Sequence, residues 1–271
     1  MDANLIQDAL AIASGGLVGF SLGLVGGGGS ILAVPLLFYV VRVGSPHEAI
    51  GTGAVAVAAS AAFGLVGHAR ARTVKWPCAV AFAVAGIVGT IIGAAAGKAV
   101  DGQKLLALFG LLMLVVGALM TRPRRGGGNP DARLSLETAP RLLPLLAGTG
   151  LAVGLASGFF GIGGGFLIVP GLIGATAMPI VNAIGSSLVS VTVFGMTTAA
   201  SYAASGLVNW WIAGLFIIGG LGGSLGGTYL AGRLAGRGRI LTLVFAGIVI
   251  AAGLYVSFKG ISAFMAPAAA P

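Results

Sequence analysis

Two glycine runs form the constellation in this chain best suited to binding chemistry. Residues 19–35 read GFSLGLVGGGGSILAVP and residues 154–170 read GLASGFFGIGGGFLIVP. Aligned without a gap they share 8 of 17 positions, including Gly26, Gly28, Gly29 and Pro35 with Gly161, Gly163, Gly164 and Pro170. A helix that stops at such a run and restarts behind it offers N–H groups without intrahelical partners and the positive end of its dipole. That pair of features holds an anion without a charged side chain, and glycine allows close backbone approach. The groups singled out are Gly26, Gly27, Gly28, Gly29 and Ser30 in the first copy and Gly163, Gly164 and Gly165 in the second. Glycine-broken apolar segments at matching points of two halves point to the binding site of a transporter.

Hydroxyl and amide groups follow each run. His47-Glu48-Ala49-Ile50-Gly51-Thr52 in the first half matches Asn182-Ala183-Ile184-Gly185-Ser186-Ser187 in the second. Thr52, Ser186 and Ser187 are candidate donors to an oxyanion beside the glycines; His47, Glu48 and Asn182 are candidates for proton or ion coupling. The competing explanation is helix capping. Thr197, Thr198, Ser201, Tyr202 and Ser205 make a further polar stripe, expected to bond between helices. The six acids, Asp2, Asp8, Glu48, Asp101, Asp131 and Glu137, all avoid the middle of apolar segments, and so do the basic residues. An anion must then be held by backbone dipoles and hydroxyls, and a relay through buried carboxylates is not expected. No metal or cofactor site is spelled out, and the single cysteine, Cys78, forms no intramolecular disulfide.

Not every glycine needs this explanation. Gly15, Gly19, Gly23 and Gly27 are spaced by four, as are Gly89, Gly93 and Gly97, and Gly219, Gly223 and Gly227. Small residues at that spacing let helices touch closely, and packing suffices for the last two sets. The near-consecutive glycines at 26–29 and 163–165 exceed what packing needs. A phosphate-binding loop fits poorly, because no Lys-Ser or Lys-Thr follows the glycines.

The elements that carry these groups are set by composition. The chain has 271 residues, 57% hydrophobic and 8% charged, against about 25% charged in a soluble domain. Apolar stretches at 5–43, 47–68, 77–97, 103–121, 141–178, 182–205, 207–231 and 239–257 are mostly near the ~20 residues of a spanning helix. In hydrocarbon the backbone must satisfy itself, so the expected fold is all-α, a polytopic transmembrane bundle. The net charge of +9 reads as positive loops on one membrane face, not as nucleic-acid binding. No basic stretch precedes residues 5–25, which match internal residues 141–160, so the first segment reads as retained.

The duplication extends beyond the glycines: Trp76 matches Trp210, Gly89 and Gly93 match Gly223 and Gly227, and Phe109 and Gly117 match Phe245 and Gly253. Residues 1–121 and 141–271 are therefore two repeats, joined by an Arg/Gly/Pro-rich linker at 122–140. About 39 residues of unbroken helix in 5–43 would span ~58 Å, far beyond the ~30 Å core. If both long segments fold back at their glycines, 11 Lys and Arg share one face and 4 the other, a good fit to positive-inside loops. The repeats are then inverted, with both termini outside and the linker cytoplasmic. Whether the broken segments are re-entrant or cross fully is left open.

The G-x-G-G-G-x-L-x-V-P pattern at Gly161–Pro170, echoed in the first half and followed by Ala-Ile-Gly-Ser-Ser, resembles the TauE/SafE family of sulfite and organosulfonate exporters and toluene-sulfonate uptake permeases. The first half departs from it at Ser30 and Gly53, so unequal half-sites are expected. The resemblance implies a secondary transporter in the cytoplasmic membrane moving sulfite, sulfoacetate or another sulfonate, most simply outward. An anion channel or uptake permease is the nearest alternative. An enzyme lacks a nucleophile with a base, or a metal set, among the apolar segments. The partners are the small anion and the lipid bilayer; a homo-oligomer is left open.

Overall fold

The computed structural model describes residues 3–121, 134, 137–161, 163–233 and 238–265; most of the linker between the repeats lies outside them. The chain runs through α1 (Ala3–Val25), a 3-10 segment (Gly26–Leu32), α2 (Ala33–Pro35), a π-turn (Leu36–Val40), α3 (Pro46–Arg70), α4 (Trp76–Ala99), α5 (Gly102–Thr121), α6 (Ala139–Phe160), α7 (Gly165–Thr176), α8 (Ile180–Ala203), α9 (Trp210–Arg233) and α10 (Gly238–Met265). Among the described residues, seven helices are long and apolar enough to cross a membrane, while Gly29–Val40 and Gly165–Thr176 are shorter apolar stretches. The all-α polytopic bundle expected from composition is the fold.

Local signals explain the boundaries. Ser45 caps α3 by accepting from the Glu48 N–H, with Pro46 in the first turn where its missing donor costs least. Asp101 Oδ1 accepts from the N–H groups of Gln103 and Lys104 at the start of α5. α6 ends at Gly161 in the left-handed region, φ 67°. Val80, Val84, Val88 and Ile91 of α4, and Leu108, Leu111, Val115 and Leu119 of α5, are exposed at helical spacing, the apolar faces a bilayer covers.

Both glycine-broken segments fold back. Gln7 near the start of α1 donates to the Val41 carbonyl at 3.0 Å, so residues 26–41 return to the level where α1 began. A Cβ on Gly29 would strike the backbone of Ser21 and Leu22. In the second half α7 lies against α6, and Gly164 sits against Ser157 at the matching separation of seven residues. With 12 residues, α7 spans about 18 Å, short of the ~30 Å core. In the second half, then, α6 is long enough to cross, and α7 returns only part of the way.

The repeats exchange their first helices. α1 packs along α9, and α6 along α4. Gly15 and Gly19 meet the backbone of Phe216 and Gly220, while Gly219 and Gly223 meet Ile12 and Gly16, so α1 and α9 run parallel. Gly89, Gly93 and Gly97 meet Leu151, Leu155 and Phe159 in the same sense on α6. The spaced glycines are helix seams, as packing requires. By contrast, matching helices of the two halves meet antiparallel: Gly51 faces Tyr202 and Gly64 faces Leu188 across α3 and α8, and Gly110 and Gly117 face Gly253 and Ala246 across α5 and α10. One hydrophobic core takes residues from both halves, Val57, Phe82 and Phe109 with Val191, Phe194 and Val249. The repeat boundary in sequence is not a boundary in packing.

A Cβ on Gly19 must displace main chain, so Gly19→Ala will lose about 1–3 kcal/mol, the usual cost of overpacking, in denaturant titration of the detergent-purified protein. Gly222→Ala, whose added Cβ meets nothing within 4 Å, will stay within about 0.5 kcal/mol of the parent.

Candidate functional site

The second glycine run builds an open turn. Gly161, Gly163 and Gly164 have φ of 67°, 66° and 65°, the left-handed region that costs an L-residue about 1–2 kcal/mol. Space closes the same positions: a Cβ on Gly161 would overlap Ile50, and one on Gly164 would lie 2.7 Å from the Ser157 Cβ. The turn delivers the chain into α7, whose Gly164 carbonyl accepts from Leu167 and Ile168 at 2.9 Å. The first turn of α7 therefore begins at Gly165, with its remaining N–H groups aimed back at the glycines.

The first run folds differently. Gly26–Leu32 is a 3-10 segment of 7 residues leading into α2 and the π-turn, longer than the usual 3–4 residues of such helix. The backbone changes pitch without the open turn of the second half. The two runs are thus unequal, in keeping with the substitutions at Ser30 and Gly53. They also meet: the 3-10 segment packs against α7 and α8. Ser30 is fully buried there.

Depth follows from the neighbours. Gly163 lies beside Val57 and Val191, which are mid-helix residues of the antiparallel α3 and α8. Gly163 therefore sits halfway through the bundle, while Gly161 lies against Ile50, nearer the start of α3. Its surroundings are uncharged: among the described residues, the buried polar side chains are Ser and Thr, with Tyr202 the one buried phenol. Ser157 and Ser190 are fully buried, and neither Oγ has a hydrogen-bond partner.

The other predicted residues are spread in depth. Thr52 Oγ1 accepts from the Asn209 N–H at 3.0 Å, and Ser186 Oγ accepts from the Lys75 N–H at 2.9 Å. The two bonds are repeat equivalents: Lys75 and Asn209 each precede the matched tryptophans Trp76 and Trp210. Each ties one half to the other, at opposite ends of the bundle. Thr52 lies five residues from Val57 and Ser186 five from Val191, in opposite directions, so they flank the level of Gly163 by about 7 Å each. The structure does not bring both hydroxyls to one small ligand. Each oxygen is engaged, yet each hydroxyl keeps its own hydrogen to donate. Ser187 donates to the Ile184 carbonyl of its own helix, and Asn182 Nδ2 to the Thr73 carbonyl at one end of the bundle. His47 and Glu48 occupy the first turn of α3 at the other end. Within the polar stripe, Thr197 bonds its own helix and Ser205 receives Lys98, while Thr198 and Tyr202 have no partner; only part of the stripe bonds between helices.

Sequence reasoning missed Ser157, which faces Leu22 in the repeat alignment and so stood out as no repeat feature. It also missed Lys75 and Asn209, for which the aligned tryptophans were the available signal.

A helical bundle with a broken, charge-free but polar break at mid-depth is the architecture of a membrane transporter. Residues 11–256 match the family described as sulfite exporter TauE/SafE, and the chain belongs to that family. A probable membrane transporter protein of Xylella fastidiosa is 51% identical over 95% of this chain and 97% of its own length. The probable membrane transporter protein YunE of Bacillus subtilis is 28% identical over 78% of this chain and 84% of its own. No solved structure gives a significant match. The chain is a multi-pass membrane transporter of this family.

Gly164→Ala will destabilise the detergent-solubilised protein more than Gly206→Ala. Gly206 shares the left-handed backbone, φ 70°, but has open space around it, so it carries only the backbone cost of about 1–2 kcal/mol. Equal losses in denaturant titration would show that the contact with Ser157 relaxes freely.

Proposed function

We propose that this transporter moves a small sulfur-containing oxyanion, sulfite, sulfoacetate or another sulfonate, out of the cell across the cytoplasmic membrane by alternating access. The observation that carries this is the glycine turn at mid-depth, opening onto the first turn of α7, with the unpartnered hydroxyl of Ser157 packed against it and no buried charge nearby. A helix start with hydroxyl donors suits an anion with several acceptor oxygens. The sulfur class rests on the family's description, and the export direction likewise.

Alternation is supported by the repeat geometry. Matching helices that meet antiparallel, α3 with α8 and α5 with α10, fit halves inverted about an axis in the membrane plane. Each half then makes five passes or dips, which puts both termini on one face; loop charge assigns that face to the outside. The bonds Thr52–Asn209 and Ser186–Lys75 close opposite ends of the same route, so opening one end breaks one bond and spares the other. The anion meets the Thr52 hydroxyl when the route is open toward the termini and the Ser186 hydroxyl when it is open toward the linker. Gly26–Gly29, Ser30 and Gly163–Gly165 hold it in between, with Ser187 lining the route. An uptake permease uses the same site in reverse, and a channel opens both ends together.

In proteoliposomes, wild-type protein will show saturable, exchange-stimulated flux of radiolabelled sulfite. Ser157→Ala removes a hydroxyl that the empty protein leaves unbonded, so the fold will be kept and affinity will fall about tenfold or more, the worth of a hydrogen bond to a charged group. Unchanged flux in that variant would remove Ser157 from the site, and non-saturable flux in the parent would identify a channel.

The two closing bonds are tested separately. In a Cys78→Ser background, Thr52→Val will speed thiol labelling of Ala54→Cys from the face bearing the termini, and Ser186→Ala will speed labelling of Leu188→Cys from the opposite face. Acceleration of both from one face would overturn the inverted arrangement.

A further inference from the structure

At the end of the bundle where α3 and α9 begin lies a polar cluster that the interior site does not use. Lys98, near the end of α4, reaches across to α8 and donates to the Ser201 carbonyl and to Ser205 Oγ, both at 3.0 Å. Both partners are neutral. The same ammonium lies 5.7 Å from the centre of the Tyr202 ring, within cation–π range. His47 stands beside that ring, its ring centre 6.4 Å away at a 40° tilt. Tyr202 is fully buried, and its hydroxyl has no hydrogen-bond partner; the buried Nδ1 of His47 has none either. The Glu48 carboxylate beside His47 turns back over Gly44, and the Asp101 carboxylate is engaged at the start of α5.

A buried phenol hydroxyl normally finds a partner, because leaving it unbonded costs its full desolvation. Here two such atoms sit on neighbouring rings, next to a cation whose hydrogen-bond partners carry no charge. The Lys98 ammonium and the Tyr202 phenol each have a hydrogen to donate to an acceptor oxygen. An oxyanion accepts from the third N–H of the Lys98 ammonium and from the Tyr202 phenol, and from His47 Nδ1 when that nitrogen carries the hydrogen. A cation or an apolar molecule would meet Lys98 unfavourably and leave the phenol unsatisfied.

We propose that Lys98, Tyr202 and His47 form a second oxyanion site, a vestibule at the mouth of the route on the face bearing the termini. It takes the same class of ligand as the interior site, a small sulfite- or sulfonate-type anion, and rests on that reading for its ligand class. This site differs in kind from the interior one. Inside, backbone and hydroxyl groups hold the anion with no charge; at the mouth, one lysine draws it in from water. Thr52 on α3, next to Gly51, which packs on the Tyr202 side chain, lies on the way between the two.

The test is calorimetric titration of the detergent-purified full chain with sodium sulfite and with sodium sulfoacetate, against sodium chloride at matched ionic strength. Lys98→Gln and Tyr202→Phe will each raise the dissociation constant about tenfold or more, while Lys98→Arg retains most of the affinity. Tyr202→Phe removes only an unbonded oxygen and keeps the ring, so it decides the matter if Lys98→Gln fails to fold. Wild-type protein that binds neither anion, or variants that bind as tightly as the parent, would overturn the vestibule and leave a water as the partner of Tyr202. Flux in proteoliposomes separates this from the transport assignment. Binding lost in the variants with no flux in the parent keeps the vestibule and removes the transport cycle; normal flux with unchanged binding in the variants does the reverse.

Discussion

Hydrocarbon cannot hydrogen-bond a peptide group, so a helix may break in mid-membrane only where protein surrounds the break. The turn made by Gly161, Gly163 and Gly164 is such a break, reaching from Ile50 near the start of α3 to the level of Val57 and Val191 halfway along α3 and α8. Most of the architecture follows from the need to enclose it. α3 and α8 place Val57 and Val191 beside Gly163, the 3-10 segment of the first half packs against α7, and α1 pairs with α9 as α4 does with α6. With α1 packed on α9 and α6 on α4, each half helps to enclose the other.

Enclosure that tight depends on glycine in a second role. Along α1 and α9, and along α4 and α6, the helix backbones approach until a single Cβ would meet main-chain atoms. Lipid offers no hydrophobic drive to push helices together, so close van der Waals packing must supply the association. The same residue type therefore does two different jobs in this chain. Gly19 is a contact surface on a regular helix; Gly161, Gly163 and Gly164 are a conformation, at φ values other residues avoid.

The distribution of polar groups fits an uncharged interior with selective ends. Burying an ion without a partner is costly, and among the described residues the buried polar side chains are Ser, Thr and Tyr202. Hydroxyls and helix starts carry partial charge without that penalty. The titratable side chains His47, Glu48 and Lys98 gather at one end of the bundle, and Thr73 and Lys75 meet Asn182 and Ser186 at the other. Titratable groups at the ends and neutral donors in the middle are compatible with a route whose two mouths close in turn.

Much of this was legible in the sequence, for physical reasons. Hydropathy dictates helices because the bilayer leaves the backbone no other choice. The duplicated glycine runs, the matched tryptophans and the spaced glycines mark local conformations and close contacts that depend on residue type alone. The difference between the two glycine runs was legible too, since Ser30 and Gly53 break the repeat. What only the tertiary structure decided is which helix lies against which, and what each hydroxyl bonds to. Nothing in the spacing of Thr52 or Ser186 shows that each receives a backbone N–H from the other repeat, about 7 Å to either side of the glycine level. Ser157 and Tyr202 become notable only once their hydroxyls are seen buried without partners. Residue type sets what a side chain can donate or accept, whereas partners in three dimensions come from helices exchanged between halves, over separations in the chain that no local pattern records.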